Sequence, residues 1–156
     1  MSKGLDVPYP CIDITPTWAR LNEGLIRLVD YIPEDKLNWS PKPELWNFRG
    51  ILIHIAATRD GWLGIDVKDG IEAPNVWQTV RTKAEVQAAH ARTWERVARF
   101  LGDESKLDAT YVDRDGRQLS GHWIAFHLLE HDIHHRADIF HYLALLGVET
   151  PDVGTP

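Results

Sequence analysis

Between Trp123 and Leu146 the chain is largely apolar, and into that stretch it sets Glu130-His131-Asp132-Ile133-His134-His135-Arg136. His131 and His135 are four residues apart, so on a helix they stack on one face. At about 100° per residue, Ile124, Leu128, His131, His135, Ile139, Tyr142 and Leu146 share a single stripe. The two histidines therefore point where the core-forming residues point. Imidazoles turned into a core require partners. Those are either hydrogen-bonding groups or a metal ion with a third ligand from elsewhere in the fold.

Three further helices are expected. Thr15-Pro16 offers an N-cap followed by proline at the first helical position. Trp18, Leu21, Leu25, Leu28 and Val29 then recur at helical spacing, and Pro33 closes the segment. After the proline-rich turn at Asn38 to Pro43, a second helix is predicted over Leu45 to Val67. Its stripe carries Asn47, Ile51, His54, Thr58, Trp62 and Ile65, which puts a third histidine on a mostly apolar face. Residues 69–80 read as a long connection, which leaves the helices on either side free of a simple neighbouring arrangement. Thr82-Lys83-Ala84-Glu85 has the form of a capping box and opens a helix bearing Val86, His90, Thr93, Val97 and Phe100. Thr110 to Leu119 alternates around Asp115-Gly116 and predicts a short β-hairpin. The last helix is predicted from Ser120 to a glycine stop at Gly147. The expected architecture is all-α: one domain over residues 1–156, a four-helix bundle with the hairpin before the final helix.

Composition narrows the function classes. With 44% hydrophobic and 26% charged residues the chain reads as soluble and globular. No apolar run is long enough to cross a bilayer, and Met1 to Pro10 lacks the apolar core of a signal peptide. A formal net charge of −6 argues against nucleic acid as the partner. The single cysteine, Cys11, excludes an intrachain disulfide and suits a reducing cytoplasm; no base at a readable spacing would make it a nucleophile.

Of eight histidines, five lie between His122 and His135. His54, His131 and His135 make a three-histidine set on two helices, and three protein ligands leave an open coordination position, the catalytic pattern for zinc. His127, one turn before His131, is read either as an acid/base assistant, as a partner to a ligand, or as a histidine at the rim of the core. His90 is a fourth ligand or a hydrogen-bonded core histidine, and His134 a helix-contact or surface residue. His122 and His141 carry no signal. Asp138 either orients a ligand imidazole or is a solvated carboxylate. Arg136 points away from the stripe, as an ion-pair or dimer contact would. Thr58, Trp62 and Tyr142 could wall a pocket or simply fill core. His131-Asp132-Ile133-His134-His135 also has the outline of the zinc-protease helix, but an aspartate in the base position is one methylene short of a metal-bound water.

Phe48-Arg49-Gly50-Ile51-Leu52-Ile53-His54-Ile55, the Asp115-Gly116 hairpin and His127 to Ile139 together resemble the DinB/YfiT-like superfamily, from the first helix to Gly147. The most specific part is the closing His-x-x-His-His-Arg motif. The family continues it as Arg-Gly-Gln-Ile, where this chain has Arg136-Ala137-Asp138-Ile139. The resemblance implies a four-helix bundle, commonly a homodimer, with a divalent metal, typically zinc or nickel, on His54, His131 and His135. It also implies a small-molecule substrate and either thiol-dependent transfer, with a low-molecular-weight thiol as cosubstrate, or metal-dependent hydrolysis. A non-enzymatic role, with a structural or stress-reporting ion, is the alternative, and a plain interaction module with residual histidines is a third.

Overall fold

A computed structural model of the chain describes residues 13–151, so Cys11 and residues 152–156 of the tail lie outside it. The described chain is mostly helical, with six helices and one two-stranded sheet. Helix α1 spans Thr15–Tyr31. Its N-cap is Ile14 rather than Thr15, because the Asp13 carboxylate already accepts the Thr15 N–H at 2.9 Å. Pro16 sits in the first turn, where its missing N–H costs nothing.

Helix α2 runs over Phe48–Gly61 and starts later than its periodicity predicts. The Asn47 side chain accepts the Gly50 N–H at 2.7 Å and caps it. Beyond Gly61 the backbone widens into a π turn over Trp62–Asp66, with the Val67 N–H donating to the Trp62 carbonyl at 2.9 Å. The added residue rotates the register: Leu63 and Asp66 turn inward, while Ile65, expected on the inner stripe, is exposed.

The connection after α2 contains a one-turn helix, α3, at Val76–Thr79. Helix α4, Lys83–Leu101, opens on the expected capping box between Thr82 and Glu85, and Val86, His90, Thr93, Val97 and Phe100 are all buried. A short α5, Glu104–Asp108, precedes the hairpin of β1, Thr110–Val112, and β2, Gln118–Ser120, paired antiparallel with Tyr111 opposite Leu119. The turn is held by the Asp113 carboxylate, which accepts from the backbone N–H groups of Asp115 and Arg117, and Gly116 supplies φ +81°. Helix α6, Gly121–Leu145, is capped by the Ser120 hydroxyl, and Gly147 at φ +70° follows its C-terminus.

Both α1 and α2 pack against α4 and α6, so the two helices that follow each other in sequence face one another across the other pair. The long segment from Ile32 to Asn47 makes that crossing, and α2 and α4 pack directly despite the connection between them. Trp18, Leu25, Leu28, Leu52, Ile55, Val97, Ile124, Leu128 and Leu143 have no solvent exposure.

Among them lies a polar knot. Arg59 Nε and Nη2 donate to Asp132 Oδ2 at 3.0 and 2.7 Å, and both side chains are fully buried. Arg59 Nη1 donates to Asn22 Oδ1 at 2.8 Å and to Thr93 Oγ1 at 3.2 Å. Trp18 Nε1 donates to the same Asp132 oxygen at 2.7 Å. One guanidinium thus joins α1, α2, α4 and α6.

Removing one partner of such a pair strands a buried charge. Arg59→Met is expected to lower the unfolding free energy by about 3–5 kcal/mol, and adding Asp132→Leu should recover much of that loss. Lys36→Met, whose partner Asp35 is exposed, should change stability by less than about 0.5 kcal/mol. Urea denaturation midpoints check all three.

Candidate metal centre

Helices α2 and α6 bring together the three histidines selected by the sequence stripes. One ring nitrogen each from His54, His131 and His135 lies within 4.8 Å of the others. The ring centroids are 4.7 Å apart for His54–His131, 4.9 Å for His54–His135 and 4.5 Å for His131–His135. Nε2 of His54 and Nε2 of His131 approach to 2.9 Å. Two nitrogens on a tetrahedral zinc lie about 3.3 Å apart, so ligation asks these rings to part by only a few tenths of an ångström.

The electrostatics suit ligation, which needs neutral imidazoles. Burial, then repulsion from the His131 and His135 charges, lowers the His54 pKa to about 4. Burial also lowers His135, against a raising hydrogen bond from Asp138. That bond, His135 Nδ1 to Asp138 Oδ2 at 3.0 Å, gives Asp138 the orienting role and leaves Nε2 of His135 for a ligand. His131 follows directly before Asp132, whose carboxylate stays ionised. Burial alone would raise it, but the Arg59 charge and the hydrogen bonds from Arg59 and Trp18 outweigh burial and hold it low. Buried in that knot, Asp132 is no proteolytic base.

Two clefts lie near the trio, and His135 lines one of them. One, about 350 Å³, lies between Ala57, Thr58, Gly61 and Trp62 of the α2 segment and Asp113, Arg114, Asp115 and Arg117 of the hairpin loop. Thr58 Oγ1 in its wall is 3.5 Å from His131 Nε2. The other, also about 350 Å³, is lined by Glu44, Leu45, Trp46, Ile51, His135, Asp138 and Tyr142. Thr58 and Trp62 therefore wall the first cleft, and Tyr142 walls the second beside His135.

Outside the trio, His127 stacks on Trp123 at 4.9 Å and meets the edge of Trp62 at 5.1 Å. Burial, then the His131 charge, lowers its pKa. His90 is a core histidine, fully buried, with Nε2 3.0 Å from the Leu52 carbonyl that it donates to. His134 is exposed and forms a second group with His135 and Asp138. His122 sits 3.0 Å from Asp108 on the surface, and His141 is exposed.

Two participants escape sequence reasoning. Trp46 lies edge-on to His54 at 4.4 Å and stacked near His135 at 6.1 Å, while half-exposed itself. It comes from the irregular segment before α2, where no periodicity assigns a direction. Arg59 lies off the histidine stripe, and a lone arginine on a helix ordinarily reads as solvated.

The chain matches the DinB family over residues 1–156. None of the curated proteins matches it. Among solved structures, a DinB-like protein of Bacillus subtilis is 20% identical, covers 91% of this chain and 97% of its own, and superposes with a TM-score of 0.71. A DinB-like protein of Bacillus cereus is 16% identical, covers 87% and 92%, and gives 0.72. At such identities these likenesses speak for the fold alone.

The depressed histidines make stability depend on pH. His90 titrates at about 3 and His54 at about 4 in the folded chain, against about 6.5 unfolded. The unfolded chain then binds more protons, so stability present at neutral pH is lost as the pH falls from about 6.5 toward 4. Urea midpoints of chelator-treated protein should drop between pH 7.5 and 5, and His90→Gln should flatten the drop. A midpoint that holds or rises on acidification contradicts these assignments.

Proposed function

This chain belongs to the DinB family, and from that premise we propose that it is a divalent-metal enzyme acting on a small molecule, by thiol transfer or by hydrolysis. The observation that carries the reading is the convergence of His54, His131 and His135 from two helices, with ring nitrogens within 4.8 Å. In this reading the four long helices form the family's four-helix bundle and hold zinc or nickel on those three imidazoles. When bound, the ion lowers the pKa of a water or a thiol so that a nucleophile exists at neutral pH.

The chain's own residues supply the rest. Asp138 fixes the His135 ring, and the carboxylate beside Trp46 and Tyr142 gives the second cleft a polar floor. Trp46 packs against His54 and His135 and forms one wall of that cleft. Thr58 offers a hydroxyl to whatever stands near His131. His127, neutral at physiological pH, accepts a proton at one ring nitrogen as acid/base assistant, with Trp62 and Trp123 holding its ring. No side chain in the trio is itself a nucleophile, which is why a thiol or water is assigned that part. Homodimerisation is proposed with it, favoured by the exposed Phe126 and Ile133 on one face of α6. Among the described residues no helix is long and apolar enough to cross a membrane.

The alternative is an ion that serves only structure or sensing. Chelation separates the two. An enzyme is expected to remain cooperatively folded after metal removal, and to regain thiol-transfer or ester-hydrolysing activity on addition of zinc or nickel. Loss of a cooperative melt on chelation, with no activity from the reloaded protein, favours the structural ion. In the active protein, His127→Gln should lower kcat by about 100-fold with metal content unchanged.

A further inference from the structure

Three donors, Trp18 Nε1, Arg59 Nε and Arg59 Nη2, all converge on Oδ2 of Asp132. The other oxygen, Oδ1, is buried and has no hydrogen-bond partner among the described residues. Nδ1 of His131 is also buried without a partner, and the two orphaned atoms face each other at 3.8 Å. An ionised carboxylate only accepts, so these atoms satisfy one another only if the imidazole proton sits on Nδ1. A hydrogen bond of about 2.9 Å needs a closure of about 0.9 Å.

From this we infer that Asp132 is a positioning residue, resting on the metal-centre reading above: it keeps the His131 proton on Nδ1 and presents Nε2 as the lone pair facing His54. Arg59 and Trp18 hold the carboxylate in the required orientation by saturating its far oxygen, so the core knot and the metal centre share one side chain. In the metal-free chain the 2.9 Å contact between the Nε2 atoms of His54 and His131 then has one polarity. His54 donates from Nε2 and His131 accepts. Zinc uptake moves the His54 proton from Nε2 to its own Nδ1, with no net release, while the His131 tautomer stays as it was. Only one of the two rings is prepared in advance.

Long-range proton–nitrogen NMR of the imidazoles, on labelled protein freed of metal and then given one equivalent of zinc, reads both tautomers. The inference expects His131 as Nδ1–H before and after zinc, and His54 changing from Nε2–H to Nδ1–H. A metal-free His131 that is Nε2–H, or that averages both forms, overturns it. A His131 fixed as Nδ1–H in a protein that shows no response to zinc counts against the metal reading instead, so the two failures are distinguishable. Asp132→Asn supplies a second test. Its carbonyl still accepts from Trp18 and Arg59, and its amide N–H faces His131 Nδ1, which drives the proton to Nε2. Zinc affinity by calorimetry should fall about 10–100-fold. A folded variant with His131 still Nδ1–H and unchanged affinity overturns the inference; should the variant not fold, the wild-type spectra decide it.

Discussion

A fully buried guanidinium must find a carboxylate and enough acceptors, or the fold that buries it does not form. Arg59 meets that requirement with Asp132, Asn22 and Thr93, drawn from three other helices. Hydrophobic contacts between helices tolerate sliding by a fraction of a turn. A fork of N–H donors matched to fixed oxygens does not. The knot therefore sets the axial register of α2 against α6, and with it the level at which His54 meets His131 and His135. The histidine cluster is placed by the interaction that closes the core.

The same arrangement keeps His54 and His135 in the neutral form that metal ligation needs. Burial disfavours the charged form of His54 and His135, which leaves imidazoles ready to donate lone pairs near neutral pH. Asp138 fixes the His135 ring from behind by a hydrogen bond, and the Asp132 carboxylate stands 3.8 Å behind the His131 ring. One cleft runs past Thr58 and Trp62, and the other past Trp46 and Tyr142 to His135.

Much of this was legible in the sequence, because period-3.6 patterns and caps are local. The capping box at Thr82, the hairpin at Asp115-Gly116, the stop at Gly147 and the inward stripe of α6 all follow from neighbours within a few residues. His54, His131 and His135 were legible for the same reason, each being a polar residue where the pattern calls for an apolar one. The π turn after Gly61 was not, since one residue inserted into a helix has no composition signal, and Ile65 was set on the wrong face. The Arg59 knot was not, because Asn22, Thr93 and Asp132 lie 34 to 73 residues away in sequence. Trp46 belongs to an irregular segment whose direction is fixed only by what it packs against.

In the proposed function, His54, His131 and His135 from two helices hold one divalent ion. Elemental analysis of untagged protein, wild type beside His54→Ala, tests it most directly. About one equivalent of zinc or nickel per chain in the wild type, absent from the variant, is the predicted result. Equal metal in both proteins, or none in either after both metals have been supplied, would contradict it.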